Sequence, residues 1–253
     1  MATPAALLDN RADLEPRPAR WRVGLIALAT DPTSERDFAA MRPTEDLAIY
    51  VNRVAFTNPA NRDNLLAMHP RLTEAAELIL PGEALDAIAY SCTAASAMIG
   101  DAAVREAIQA AKPEVPVITP ISAAIGAFAA LQVGKISVLT PYTPSVTDAL
   151  VDCFESNGLQ VLNAGCFGLS DDREIARISP GSIIAAATEV CHPKARALFI
   201  SCTGLRAVAV TQSIEDRLGI PVITSNQAMF WQTIRRAGCL HSVSGFGRIL
   251  ASH

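Results

Sequence analysis

The sequence predicts an α/β protein made of two similar lobes, each a parallel sheet covered by helices. Three observations lead there. Half of the 253 residues are apolar and only 5% are aromatic, and the apolar residues fall in short Ala, Val, Ile and Leu runs of the kind that parallel sheets bury on both faces. Strand-like and helix-like segments alternate along nearly the whole chain. A unit of strand, Ser-Cys-Thr, helix, "PVIT" and helix occurs twice: "YSCTAAS" recurs as "ISCTGLR" with Cys92 and Cys202 110 positions apart, and "VPVITP" recurs as "IPVITS" 105 positions on. Repetition of a unit implies repeated architecture.

Taken in order, "RVGLIALA" from Arg22 reads as a buried strand, and "TSERDFAAM" after it has the hydroxyl and acidic residues of a helix start. "LAIYVNRVAF" is a second strand, followed by a loop at "TNPAN" and one helix over 62–80. "LDAIAYS" is a third strand leading to a helix over 95–111, and "VPVIT" a fourth leading to an Ala-rich helix over 121–133. The scheme then restarts with "KISVLT", a helix over 144–157 that Gly158 ends, "LQVLNAGCFG", helical "DDREIARI" and "GSIIAAATEVC", and strand "ARALFIS". A helix over 205–217 stopping at Gly219, strand "IPVIT" and helix "NQAMFWQTIRRAG" complete it.

Composition removes several function classes. The net charge of −4 with no Lys/Arg cluster excludes a general attraction to nucleic acid. The most apolar stretch, 121–133, is too short to span a bilayer, and residues 1–20 read as a loose tail, not a signal peptide. The expectation is a cytoplasmic protein. The six cysteines lack paired spacing and read as free thiols. No CxxC or HExxH occurs, so no metal site is expected, and the adjacent Cys191 and His192 read as incidental. The three lysines, Lys112, Lys135 and Lys194, sit at no pocket-like strand end, which disfavours pyridoxal phosphate chemistry. The lone dinucleotide-like "GFGRIL" from Gly245 comes where no strand-turn-helix unit remains.

Right-handed crossovers place all strand C-termini on one edge of a parallel sheet, so both Ser-Cys-Thr turns fall at ligand-binding edges. A cysteine between a strand and a helix start meets unpaired amides and the helix dipole, which would lower its thiol pKa. Ser91, Thr93, Ser201 and Thr203 would offer donors to a carboxylate. A free cysteine is ordinarily a small buried filler. Two matched ones flanked by hydroxyls point to a reactive pair, whereas Cys153, Cys166, Cys191 and Cys239 lack that setting.

With "GLIALATDPTSERDF", "YSCTAAS", "VPVITPISAA", "VLTPYT", "FISCTGLR" and "IPVITSNQAMFW" in hand, the chain from Trp21 to about Leu250 resembles the aspartate/glutamate racemase superfamily. Within it, the sequence is similar to the branch of maleate cis-trans isomerases, arylmalonate decarboxylases and the ectoine-utilisation protein A group, and most to the last. The resemblance implies two pseudo-symmetric, Rossmann-like lobes, an active site in the cleft between them, and no cofactor. It implies that Cys92 and Cys202 face the substrate from opposite sides, either exchanging an α-proton or adding to a double bond. Tyr142 of "TPYT" would hold a substrate carboxylate, its alternative being a turn residue between prolines, with Thr140, Thr143, Thr93 and Thr203 adding contacts. Asn226 either reaches the site or caps its helix beside Ser225. The chain is expected to cross between lobes after Pro120 and return near Ser225, giving a first lobe of 21–120 plus 225–253 and a second of 121–224, in a homodimer or homotetramer.

One departure bears on the substrate. The isomerases carry an asparagine after the first strand, where this chain has Asp31. A carboxylate there repels a dicarboxylate and fits a small carboxylate bearing an amine, amidine or hydroxyl, as in ectoine or hydroxyectoine breakdown. The other reading of Asp31 is a helix cap, as it is for Asp171 and Asp172. A maleate isomerase and a non-catalytic metabolite sensor are the competing functions. A decarboxylase fits less well, because the arylmalonate enzymes use one cysteine in the second half and Cys92 is present here.

Overall fold

The computed structural model describes residues 2–3, 5–8, 12–15 and 17–253. Eight strands form two four-stranded sheets whose paired strands all run parallel. The first contains β1 (Trp21–Leu28), β2 (Leu47–Val54), β3 (Ala87–Ser91) and β4 (Val117–Ile118) in the order β2-β1-β3-β4. The second contains β5 (Lys135–Thr140), β6 (Gln160–Cys166), β7 (Ala197–Ile200) and β8 (Val222–Thr224) in the matching order β6-β5-β7-β8. The sequence repeat is therefore a repeat of sheet topology. Every residue of β1, β3 and β7 is buried, as the uninterrupted apolar runs require of central parallel strands.

The connecting helices are α1 (Ser34–Met41), α2 (Arg62–Leu66), α3 (Leu72–Glu77), α4 (Thr93–Ile99), α5 (Asp101–Ala111) and α6 (Pro120–Ala130), then α7 (Pro144–Ser156), α8 (Asp172–Ile175), α9 (Pro180–Val190), α10 (Thr211–Leu218), α11 (Ser225–Arg236) and α12 (Arg248–Ser252). Three expected helices are shorter or broken. The helix expected over 62–80 is interrupted by a 3-10 turn at His69–Arg71, because Pro70 has no amide to donate. The helix expected over 95–111 starts earlier and divides at Gly100, whose φ of 88° no helix accommodates. The helix expected over 205–217 starts only after a turn and a 3-10 segment at Val208–Val210. The chain end, where no strand-turn-helix unit was expected, carries the short α12, tied down by Gln227 Nε2 donating to the Phe246 carbonyl and by the Arg248 amide donating to Glu215.

Two helices lie across the molecule from the strands they follow. α6 leaves β4 of the first sheet, yet its Phe128 packs edge-on against Phe154 of α7 and Phe199 of β7. α11 leaves β8 of the second sheet, yet its Phe230 packs edge-on against Phe38 of α1, with ring centroids 5.1 Å apart. The tail expected over 1–20 falls partly outside the described residues. Within them Leu7, Leu8 and Leu14 are exposed, while Arg17 pairs with Asp86 at 2.7 Å. Among the described residues no helix is long and apolar enough to cross a membrane.

Candidate active site

The C-terminal edges of the two sheets face one another, and each contributes a cysteine. Cys92 follows β3 directly and is the N-cap residue of α4, with an extended backbone. Cys202 lies two residues beyond β7 with φ +89°, the left-handed region that non-glycine residues avoid. A web of hydrogen bonds holds that turn. Thr203 Oγ1 donates to the Ser91 carbonyl at 3.1 Å, Thr33 Oγ1 to the Gly204 carbonyl at 2.8 Å, and Asn226 Nδ2 to the Thr203 carbonyl at 2.8 Å. The two Ser-Cys-Thr turns are thus bonded to each other.

Between them lies a cavity of about 20 Å³, the room of a single water. Both cysteines line it, with Thr93, Ala94, Tyr142, Thr203 and Gly204, and Leu28, Phe56, Ala60 and Leu65 form an apolar wall. Two carboxylates complete it, Asp31 and Asp172. No Lys, Arg or His is among the lining residues. No cluster of three metal-ligating side chains occurs among the described residues.

Of the residues expected to meet here, Cys92, Cys202, Asp31, Thr93, Tyr142 and Thr203 do, and Thr140, Thr143 and Asn226 do not. Thr140 Oγ1 is spent within its lobe, 2.6 Å from Thr147 Oγ1 and accepting the Tyr142 amide. Thr143 is the N-cap residue of α7, and its hydroxyl lies 3.3 Å from Ser145. Asn226 is a brace rather than a ligand or a cap: it donates to Asp37 and to Thr203, while Thr224 and Gln227 form the capping box of α11. The flanking hydroxyls are also committed. Ser91 meets Ser34 at 2.6 Å, Thr93 donates to Ser225 at 2.8 Å, and Ser201 donates to the Tyr142 oxygen at 3.3 Å. Donors for a bound carboxylate are then the first amides of α4, which have no intrahelical acceptor, while the Tyr142 hydroxyl accepts from Ser201 and is engaged with the Cys202 thiol.

Asp31 both holds the start of α1, whose N-cap residue is Thr33, and lines the cavity. Its Oδ1 accepts the amides of Thr33 (2.7 Å) and Ser34 (3.0 Å), and its Oδ2 accepts Ser34 Oγ at 2.5 Å. Asp172, expected to be a cap, is not one. Asp171 takes that role by accepting the Arg173 amide, and Asp172 turns inward, accepting Thr30 Oγ1 at 2.6 Å. Its signal in the sequence was the doubled acid, since one helix start needs one cap.

The expected lowering of the thiol pKa values is reversed. Complete burial pushes the Cys92 thiol well above its ordinary value, and the nearby Asp172, Cys202 and Asp31 add to the rise against one opposing amide, that of Ala95. Cys202 is pushed up to about 12 by burial and Asp172, partly offset by hydrogen bonds from Tyr142 and the Gly204 amide. The helix-start argument fails twice over: Cys202 precedes a turn rather than a helix, and desolvation outweighs the α4 terminus at Cys92. Burial also raises Asp31 and Asp172, and in both a serine or threonine hydroxyl opposes it.

Fold and cavity define a two-lobed α/β protein that presents one thiol from each lobe to a shared, buried, acidic pocket. Residues 67–250 match the arylmalonate decarboxylase family, and the chain belongs to it. Curated relatives include a maleate isomerase of Alcaligenes faecalis, 22% identical over 91% of this chain and 96% of its own. An arylmalonate decarboxylase of Bordetella bronchiseptica is 26% identical over 53% of this chain and 57% of its own. Among solved structures, a maleate cis-trans isomerase of Nocardia farcinica, captured as a cysteine-to-serine mutant with a covalently bound succinylcysteine intermediate, superposes with a TM-score of 0.85 at 21% identity, covering 92% of this chain and 99% of the other.

Proposed function

We propose that this chain is a cofactor-independent racemase or isomerase acting on a small carboxylate with an amino or hydroxyl substituent, with Cys92 and Cys202 as its two catalytic thiols. The observation that carries this reading is a pair of thiols, one from each lobe, lining a single buried cavity. In racemisation, one cysteine as thiolate takes the α-proton, so that an S–H bond forms as the C–H bond breaks and the electron pair spreads into the carboxylate as an enediolate. The opposite thiol then gives its proton to the other face and becomes the thiolate. The α4 amides supply the fixed donors that the growing carboxylate charge needs, joined by Tyr142 when its hydroxyl turns from Cys202 to the substrate. Asp31 and Thr203 shape the pocket, and the lobes divide as 21–120 plus 225–253 and 121–224. The acidic lining supports an amino- or hydroxy-substituted substrate of the kind formed in ectoine or hydroxyectoine catabolism. A cytoplasmic homodimer or homotetramer completes the reading, testable by light scattering.

Proton NMR in D2O tests the reaction with aspartate, hydroxyaspartate, acetylated diaminobutyrates and maleate. Deuterium entering an α-carbon, and lost in Cys92→Ser and in Cys202→Ser, is the expected result. The second reading is maleate cis-trans isomerisation, favoured by the names of the relatives that align over nine-tenths of the chain. Conversion of maleate to fumarate with no α-exchange in the other compounds selects it. Binding without turnover of any compound selects a sensor.

A further inference from the structure

We infer that Asp172 is a specificity-determining residue that receives an ammonium or amidinium group of the ligand, so that this cavity, widening beyond its single-water volume as the ligand enters, takes a zwitterionic or cationic carboxylate and rejects a dicarboxylate. The inference rests on the reading of the cavity as the substrate site and names the substrate class by charge.

The two acids of the cavity are not equivalent. Asp31 has both oxygens engaged by the start of α1, Oδ1 by two amides and Oδ2 by a hydroxyl. It contributes negative charge but little free acceptor capacity. Asp172 is only 9% exposed, and Thr30 occupies Oδ2 alone. Its Oδ1 accepts no hydrogen bond from any described residue, and its backbone is fixed by its amide donating to Asn58 Oδ1 at 3.1 Å. With Asp171 serving as the cap of α8, nothing local accounts for turning a second carboxylate into the interior.

Asp172 Oδ1 is not sealed off among the buried unpartnered atoms but stays open at the cavity, where a ligand that supplies a charged N–H gains a charge-assisted hydrogen bond. No side chain can take the ligand's place. No Lys, Arg or His lines the cavity. Arg53, the cation that acts on Asp31, instead donates to the carbonyls of Leu28 and Asp31 and pairs with Glu35. A ligand carrying two carboxylates would meet two like charges and no cation. The same geometry couples recognition to chemistry: Asp172 lies close enough to both thiols to oppose their ionisation, so a cation seated against it makes either thiolate easier to form.

Titration calorimetry of the full chain with 2,4-diaminobutyrate, 2-aminobutyrate and maleate tests the assignment. The wild type is expected to bind in that order, diaminobutyrate tightest. Asp172→Asn should weaken diaminobutyrate by about ten- to a hundredfold, the range of one charge-assisted hydrogen bond, and strengthen maleate. Asp172→Glu, which keeps the charge, should keep the preference for the cation. A wild type that prefers maleate overturns the assignment, as does an Asp172→Asn protein that weakens all three probes alike. Deuterium exchange on the same samples separates the two readings. An Asp172-dependent binding order without exchange removes the thiol chemistry and leaves the charge assignment. Cysteine-dependent exchange with a binding order indifferent to Asp172 does the reverse.

Discussion

Cys202 and Cys92 differ first in their backbones. Holding a β-carbon at φ +89° costs about 1–2 kcal/mol, tolerated because Thr33 and Asn226 donate to the turn's carbonyls and its own Thr203 donates to the Ser91 carbonyl beside Cys92. Glycine relieves that strain, so Cys202→Gly should match or exceed the wild type in thermal stability while losing α-exchange. Cys92→Gly, in extended backbone, should lose exchange without any such gain. Burial distinguishes both from Cys166, which is exposed. Iodoacetamide followed by peptide mass spectrometry should label Cys166 first, with Cys92 and Cys202 lagging and speeding up as pH rises, since the thiolate is the nucleophile. Equal labelling of all three at neutral pH would contradict the buried, protonated pair.

At the scale of elements, α6 and α11 decide how the cleft is built. Each begins with a threonine capping box, Thr119 with Ser122 and Thr224 with Gln227. Thr224→Ala should lower unfolding free energy by about 1 kcal/mol by chemical denaturation, with a further effect on exchange because Asn226, two residues on, braces the Cys202 turn. Read from the sequence, both helices are found but begin one residue late, at 121 and at Asn226, and the second cap is sought at Asn226 beside Ser225 instead of at Thr224. Less legible were the interruptions at Pro70 and Gly100 and the late start of α10. A long apolar period suggests one helix even where a single residue without an amide, or with positive φ, divides it. Asp172 was hidden for a related reason, because adjacent acids before a helix look alike until the turn shows which of them faces inward.

Across the whole molecule, the exchange of α6 and α11 ties the two sheets into one structure. Phe128 is buried among residues of the second sheet and Phe230 against α1 of the first. Either truncation to Ala should cost about 3–5 kcal/mol, and calorimetry should show one unfolding transition in the wild type, not one per lobe. Asp37, buried beneath Asn226, gives the fold a pH dependence. Its pKa is raised to about 7, chiefly by burial, against the hydrogen bond from Asn226. The folded state therefore holds a proton between pH 4 and 7 that the unfolded chain has released, so Asp37's contribution is full below about pH 4 and falls away as pH rises through 7. Asp31, Asp172 and Glu215, raised by burial, act in the same sense. Denaturant unfolding at pH 5 and pH 8 should show a smaller loss across that interval in Asp37→Asn than in the wild type.

The sequence by itself determined the α/β class, the succession of strands and helices along the chain and the doubled Ser-Cys-Thr unit, because apolar runs, helix caps and repeats are written in neighbouring residues. It also marked Cys92, Cys202, Asp31 and Tyr142 as residues to watch. Only the tertiary structure decided that Thr140, Thr143 and Asn226 face elsewhere, that Asp172 joins Asp31 at the thiols, and that burial raises the pKa of both thiols. Which groups share a cavity, and how far water is excluded from it, depends on elements that lie over a hundred residues apart in the chain and meet only when the two sheets close on each other.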